Sequence, residues 1–164
     1  MTEVPTPAPG PGQIQVKVSV AGVNFLDAYQ RRGGTPVAAP FVAGVEGVGT
    51  VTEIGEGVAD FSLGQRVGWL TGCQGAFAEY AVVAADSAVP IPDEVDDQAA
   101  AAVLLQGVTA HYLAVDTYPI QPGDAVLIHA AAGGVGLLLT QIAKLRGATV
   151  IAVRGSRTGS SWRS

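Results

Sequence analysis

The chain has 164 residues, the size of one ordinary domain, and its 9 basic and 14 acidic residues leave a net charge of −5. That balance excludes a surface built to grip nucleic acid, which needs clustered Lys and Arg. Apolar residues make up 48% and charged ones 14%, so a buried core is expected, while the single cysteine, Cys73, excludes an intramolecular disulfide and any zinc site built on two cysteines.

The opening, MTEVPTPAPGPG, is rich in Pro and Gly and lacks the apolar core of a secretory signal. Together with the cysteine usage this favours a reducing, cytoplasmic setting. Residues 13–20 then alternate. Ile14, Val16, Val18 and Val20 fall on one face, and Gln13, Gln15, Lys17 and Ser19 on the other, which predicts a half-buried strand. NFLDAYQRR reads as a short helical or irregular segment, and residues 33–40 as a loop. Residues 41–92 look all-β: VEGVGTVTEIG, QRVGWL and FAEYAVV are short β-rich runs separated by Gly, Asp and Ser, as in a small barrel or sandwich. Glycines 44, 47, 49, 55 and 57 mark tight bends and close backbone approaches.

The pattern changes near Pro92. Acidic residues at 93–97 suit the first turn of a helix, and DQAAAAVLLQGVTAHYLAV continues it. TYPIQPGD is a turn. Residues 125–129 predict a short, fully apolar, buried strand, 133–146 a helix closed by Gly147, and 148–153 a second apolar strand. Strand, helix and strand in about thirty residues make a βαβ unit with parallel pairing. The run over 125–143 is long enough for a bilayer, but His129, Thr140, Gln141 and three glycines break it into strand, turn and helix, so no membrane insertion is expected. The tail 154–164 carries three arginines and no acid and reads as disordered.

The strongest local signal is AVLIHAAAGGVG. Its Gly-rich turn, Ala131, Gly133, Gly134, Val135 and Gly136, follows the pattern G-x-G-x-x-G with Ala131 in the first glycine's place. Glycines let a backbone approach a pyrophosphate, and the following helix offers free N–H groups and the positive end of its dipole. The position between a strand and a helix, with a second strand about twenty residues on, is the context such a motif requires. The competing role is a Gly-rich turn without a ligand. After the second strand no acid is found, and Arg154 and Arg157 stand close by, which leans to NADP over NAD unless the tail's charges carry no meaning.

AGVNFLDAYQRRGG, PFVAGVEGVGTVTEIGEGV, GAFAEYAVV, AAAVLLQGVTAHYL and PGDAVLIHAAAGGVGLLLTQIAKLRGATVIAV occur in order over about residues 5–153. In these stretches the chain resembles the medium-chain dehydrogenase/reductase superfamily, and within it the zinc-independent quinone oxidoreductases (the ζ-crystallin-like family). The resemblance implies an α/β plus all-β chain. A GroES-like β-barrel domain over 1–108 is followed at 109–153 by the start of a Rossmann, doubly wound parallel nucleotide-binding domain. It implies hydride transfer from NADPH to a quinone or activated alkene, and leaves a homodimer open as an assembly. The superfamily's catalytic zinc ligands fall at Asn24, Val45 and Gln106 and its proton-relay hydroxyl at Leu26. Val has no donor atom, and none of the three is a usual zinc ligand.

By the same resemblance Asn24 and Tyr29 line the nicotinamide and quinone cleft. Asn24 hydrogen-bonds cofactor or substrate, Tyr29 stacks on or donates to a quinone oxygen, and Thr109 hydrogen-bonds the nicotinamide end. Their competing structural roles are a turn cap, a half-buried wall and a helix cap. Asp27 is expected as a local anchor and Glu46 as the partner of a nearby cation. His111 and His129 are expected to be packed or hydrogen-bonded, and Cys73 inert. The chain departs from its relatives at Thr35, where an aromatic residue is common, and it lacks their opening hairpin and the remaining nucleotide sheet. A shortened gene product is therefore expected. The alternatives are a non-catalytic remnant that at most binds nucleotide or a partner, and an enoyl-reductase fragment of a polyketide synthase.

Overall fold

The computed structural model describes residues 3–70 and 73–153. The reading of residues 154–164 lies outside them. The chain divides into two compact units, Met1–Leu105 and Gln106–Ser164, with the division falling inside one continuous helix.

The first unit is an antiparallel sheet. Strands β1 (Gln13–Gly22), β2 (Glu46–Ile54), β3 (Arg66–Leu70), β4 (Tyr80–Ala84) and β5 (Ala88–Pro90) lie in the order β4-β1-β2-β3-β5. A seven-residue helix, α1 (Phe25–Arg31), follows β1. The sheet is not the closed barrel expected, because β4 and β5 are its two edges and do not pair. Only residues 85–87 join them. Four residue steps reach about 14 Å at most, so the sheet curls until its edges approach. Ile14, Val16, Val51, Val67, Trp69 and Val83 fill the inside of the curl.

The alternation predicted for β1 holds at Ile14 and Val16, both fully buried, but fails at Gln15, which is also buried. Pairing between β1 and β2 slips twice, leaving Thr52 and Ser19 without partners opposite them. These bulges re-aim side chains. The Thr52 hydroxyl donates to Gln15 Oε1 at 2.6 Å, and the Gln15 amide donates to Pro7 O at 2.6 Å, so the buried amide is satisfied. Ser19 Oγ stands 3.0 Å from Val48 O and 2.6 Å from Asp97 Oδ2.

Helix α2 (Asp97–Tyr112) runs on into a π-helical turn at Leu113–Thr117. The Asp96 carboxylate caps it by accepting from Ala99 N–H at 2.7 Å. By length and composition, 97–117 could cross a membrane. Its first turn is nevertheless tied to the sheet, since Arg66 donates to Asp97 Oδ1 through Nε at 2.9 Å and Nη2 at 2.6 Å.

In the second unit β6 (Ala125–His129) pairs in parallel with β7 (Thr149–Val153), and α3 (Gly134–Leu145) packs on them. The predicted strand–helix–strand is therefore present. The predicted burial is not. Ile128 is buried, but Leu127 and Ile151 are 55% and 54% exposed. Among the described residues the pair is covered by Ala143, Leu139 and Ile142 from α3 together with Ala114, Val115 and Ile120.

The Ser19 and Arg66 hydrogen bonds hold the Asp97 carboxyl below its ordinary value of 3.8. A lowered folded value stabilises above the ordinary one and is lost as pH falls through it. Asp97→Asn should therefore cost about 1 kcal/mol at neutral pH. Urea titrations of both proteins should converge below pH 3.8. A constant gap would remove the ion pair from the account.

Candidate functional site

In the first unit, the predicted residues gather around one buried carboxylate. Glu46 opens β2 opposite Gly22, the last residue of β1, and is fully buried. Its Oε2 accepts from Asn24 Nδ2 at 2.9 Å and its Oε1 from the Leu105 N–H at 2.8 Å. Among the described residues these neutral donors replace the cation expected. The carboxyl lies where a Gly22 side chain would begin, with Cδ 2.6 Å from an added Cβ. Because the carboxyl is pinned from two sides, position 22 must be glycine.

Asn24 is both the N-cap of α1 and the partner of Glu46. Its backbone N–H donates to Asp27 Oδ2 at 2.7 Å, so Asp27 is the local anchor expected of it. This cap decides between helical and irregular for NFLDAYQRR. Tyr29, 52% exposed, stacks on Phe25, which is 82% exposed, with ring centroids 6.4 Å apart and planes at 30°. Sequence reasoning missed Phe25. Its signal is the aromatic pair spaced four apart on a helix, where such residues meet.

In the second unit Thr109 sits inside α2, not at its end, so the helix-cap role does not apply. His111 and His129 are both exposed, contrary to the packed or bonded state expected. They lie at the ends of α2 and β6, where few neighbours cover them.

The loop after β6 carries the remaining predicted residues. Ala131 N–H donates to Val153 O at 3.0 Å, tying the loop to β7. Gly133 is the N-cap of α3, with its N–H on Ala130 O at 2.8 Å. The first intrahelical bond is Leu137 N–H to Gly133 O, so the N–H groups of Gly134, Val135 and Gly136 have no partner within the helix. The left-handed residue is Ala130 at φ 51°, one place before the Ala131 assigned by pattern.

The glycines answer to different demands. A Cβ on Gly136 would meet the Ala130 carbonyl and stand 2.7 Å from Ala131 Cα, both backbone. On Gly134 it would be 2.9 Å from Gln106 Cγ. On Gly133, which is exposed with φ −84°, it would meet only Ala130 O at 3.3 Å. Packing therefore requires glycine at 136, while at 133 it leaves a cradle in which a side chain would crowd one carbonyl.

Residues 10–93 match the alcohol dehydrogenase GroES-like domain. The chain is 44% identical over 131 residues to a quinone oxidoreductase of Pseudomonas aeruginosa, covering 79% of this chain and 40% of that protein. It is similar to the crystal structure of Escherichia coli quinone oxidoreductase complexed with NADPH, with a TM-score of 0.91 at 38% identity, over 95% of this chain and 48% of that one. It is also 44% identical to the polyketide synthase GfsB of Streptomyces halstedii, over 80% of this chain and 2% of that protein.

Gly136→Ala should lower stability by about 2–3 kcal/mol, the cost of overpacking against backbone. Gly133→Ala should cost under about 1 kcal/mol, since its φ suits an L-residue. Urea unfolding followed by circular dichroism measures both. Equal costs would contradict this division of the two glycines.

Proposed function

The chain belongs to the alcohol dehydrogenase GroES-like domain family, and from that membership we propose the activity of an NADPH-dependent quinone oxidoreductase that transfers hydride without zinc. The observation that carries this reading is the cradle at Gly133. Glycine stands there where a Cβ would crowd only the Ala130 carbonyl, in front of three N–H groups unpaired within α3. A pyrophosphate lying against that backbone is the physical reason for such a residue. The loop thus fits the cofactor held by the E. coli enzyme. The arginines that would select NADP, Arg154 and Arg157, lie outside the described residues.

When bound, NADPH supplies the hydride. In the proposed assignment, Gly133, Gly134, Val135 and Gly136 hold the pyrophosphate, with Ala131 fixing the loop to β7. Asn24 and Thr109 hydrogen-bond the nicotinamide end. Tyr29 stacks on or donates to the quinone, with Phe25 extending its aromatic surface. Zinc independence rests on the donor set, since Val45 has no donor atom and Asn24 and Gln106 offer only amides. A cytoplasmic location and a small planar or activated-alkene substrate belong to the same proposal.

Two other readings have an observation each. The similarity to a polyketide synthase favours an enoyl-thioester reductase segment, which preference for an enoyl thioester over quinones would establish. Among the described residues β6 and β7 form one parallel pair, where a dinucleotide site uses two mononucleotide halves, and the second alternative is a module that binds nucleotide without turnover. Measurable turnover by the pure chain would exclude the latter.

A thermal melt tests the cofactor reading. NADPH at a hundred times its Kd should add about 2.7 kcal/mol of apparent stability, or about 5–10 °C in Tm for a chain of this size. Gly133→Val, which fills the cradle, should abolish the shift. A wild-type chain whose melt NADPH does not move would lack the site.

A further inference from the structure

We propose that Arg32 makes the aromatic surface of α1 selective for planar rings that carry an anionic substituent, a sulfonate, carboxylate or phosphate. The inference rests on the quinone reading of Tyr29 above and adds to it a charge preference. Arg32 is the C-cap of α1 and still follows the helical path, with φ −89° and ψ −1° and its N–H donating to Ala28 O at 3.2 Å. At roughly 100° per residue, Phe25, Tyr29 and Arg32 therefore lie along one stripe, each about one turn beyond the last. Asp27 and Gln30, the buried residues of α1, fall on the opposite side. The stripe is the outward face of the helix, and all three of its side chains are exposed.

The stripe offers two kinds of contact in a fixed order. Phe25 and Tyr29 stack and present a flat apolar area. Arg32 adds a positive charge at its end. The chain carries 14 acidic against 9 basic residues, yet the one ion pair among the described residues joins Arg66 to Asp97. The Arg32 guanidinium is thus matched to no carboxylate of the described chain. Its planar fork can donate to two oxygens of one anion. A ring lying on Tyr29 brings a substituent on its edge within a turn of that fork. Arg31 falls roughly 100° round the helix from Arg32, off the stripe, so the two neighbouring arginines are not equivalent. A neutral ring uses the stacking area alone, whereas an anionic one uses both ends.

The test is equilibrium dialysis of the full chain against anthraquinone sulfonate and its neutral hydroxymethyl analogue, at low ionic strength. The sulfonate should bind about two- to five-fold more tightly, the worth of one exposed charge pair. Arg32→Gln should erase that preference and leave the neutral compound's Kd where it was. Arg31→Gln should change neither value. In roughly 1 M salt, where charges are screened within about 3 Å, the wild-type preference should vanish. Tyr29→Leu should weaken both compounds together. Equal wild-type affinities, or a preference that survives Arg32→Gln, would overturn the proposal. So would a sulfonate affinity that Tyr29→Leu leaves unchanged. A wild-type chain that binds neither compound would overturn the quinone reading itself, and this proposal with it. If circular dichroism shows that Arg32→Gln does not fold, the salt series on the wild type decides, and a preference that persists in molar salt would sink the idea.

Discussion

A carboxyl group without access to water must find its donors inside the protein, or its burial costs several kcal/mol. Glu46 finds one in the Asn24 amide and one in the Leu105 N–H, and its bulk fits only because residue 22 is glycine. Four segments are thereby fixed together: the end of β1, the cap of α1, the start of β2 and the middle of α2. A seven-residue helix has too few hydrogen bonds to persist alone. The exposed Phe25–Tyr29 pair therefore owes its place to the cap and to the carboxylate behind it. The aromatic surface and the buried acceptor form one construction, with the polar part inside and the apolar part outside.

The glycine loop shows a second division of labour. At Gly136 the helix passes so close to the Ala130 and Ala131 backbone that no side chain fits, and this contact sets how α3 leaves β6. At Gly133 an added Cβ would meet only the Ala130 carbonyl, at 3.3 Å, and the dihedral is ordinary. A Cβ at 136 is excluded by backbone, whereas one at 133 would crowd a single carbonyl. Ala130, held at a positive φ three residues before Gly133, carries strain that a glycine there would not. The loop takes its shape from the bond between Ala131 and Val153 and from the Gly133 cap.

Departures from regular pairing also serve the first unit. The two slips between β1 and β2 leave Ser19 and Thr52 out of the ladder, and each becomes a hydrogen-bond donor to another segment. Thr52 satisfies the buried Gln15. Ser19 joins Arg66 in holding the first turn of α2, where the helix dipole also favours the Asp97 charge.

Much of this was legible in the residues. Alternation placed β1, and the apolar runs with their turn residues placed β2 to β4 and the β6–α3–β7 unit, because side-chain periodicity is a local property. The motif order gave the family, and the strand–turn–helix context gave the glycine loop. What it did not give depended on contacts distant in the chain. Gln15 reads as an outward polar residue, and only a bulge opposite Thr52, 37 positions away, turns it inward and satisfies it. Glu46 suggested a cation, and its partners proved to be neutral groups 22 and 59 residues off. A strand of continuous apolar residues suggested burial on both faces, but burial belongs to whatever covers a face, and among the described residues α3 with Ala114, Val115 and Ile120 makes that cover. Whether a sheet closes is likewise set by its curl and its edges. Local pattern thus determined which elements form and what chemistry they carry. Tertiary packing decided which polar groups are buried and how Asn24, Glu46 and the two kinds of glycine are used.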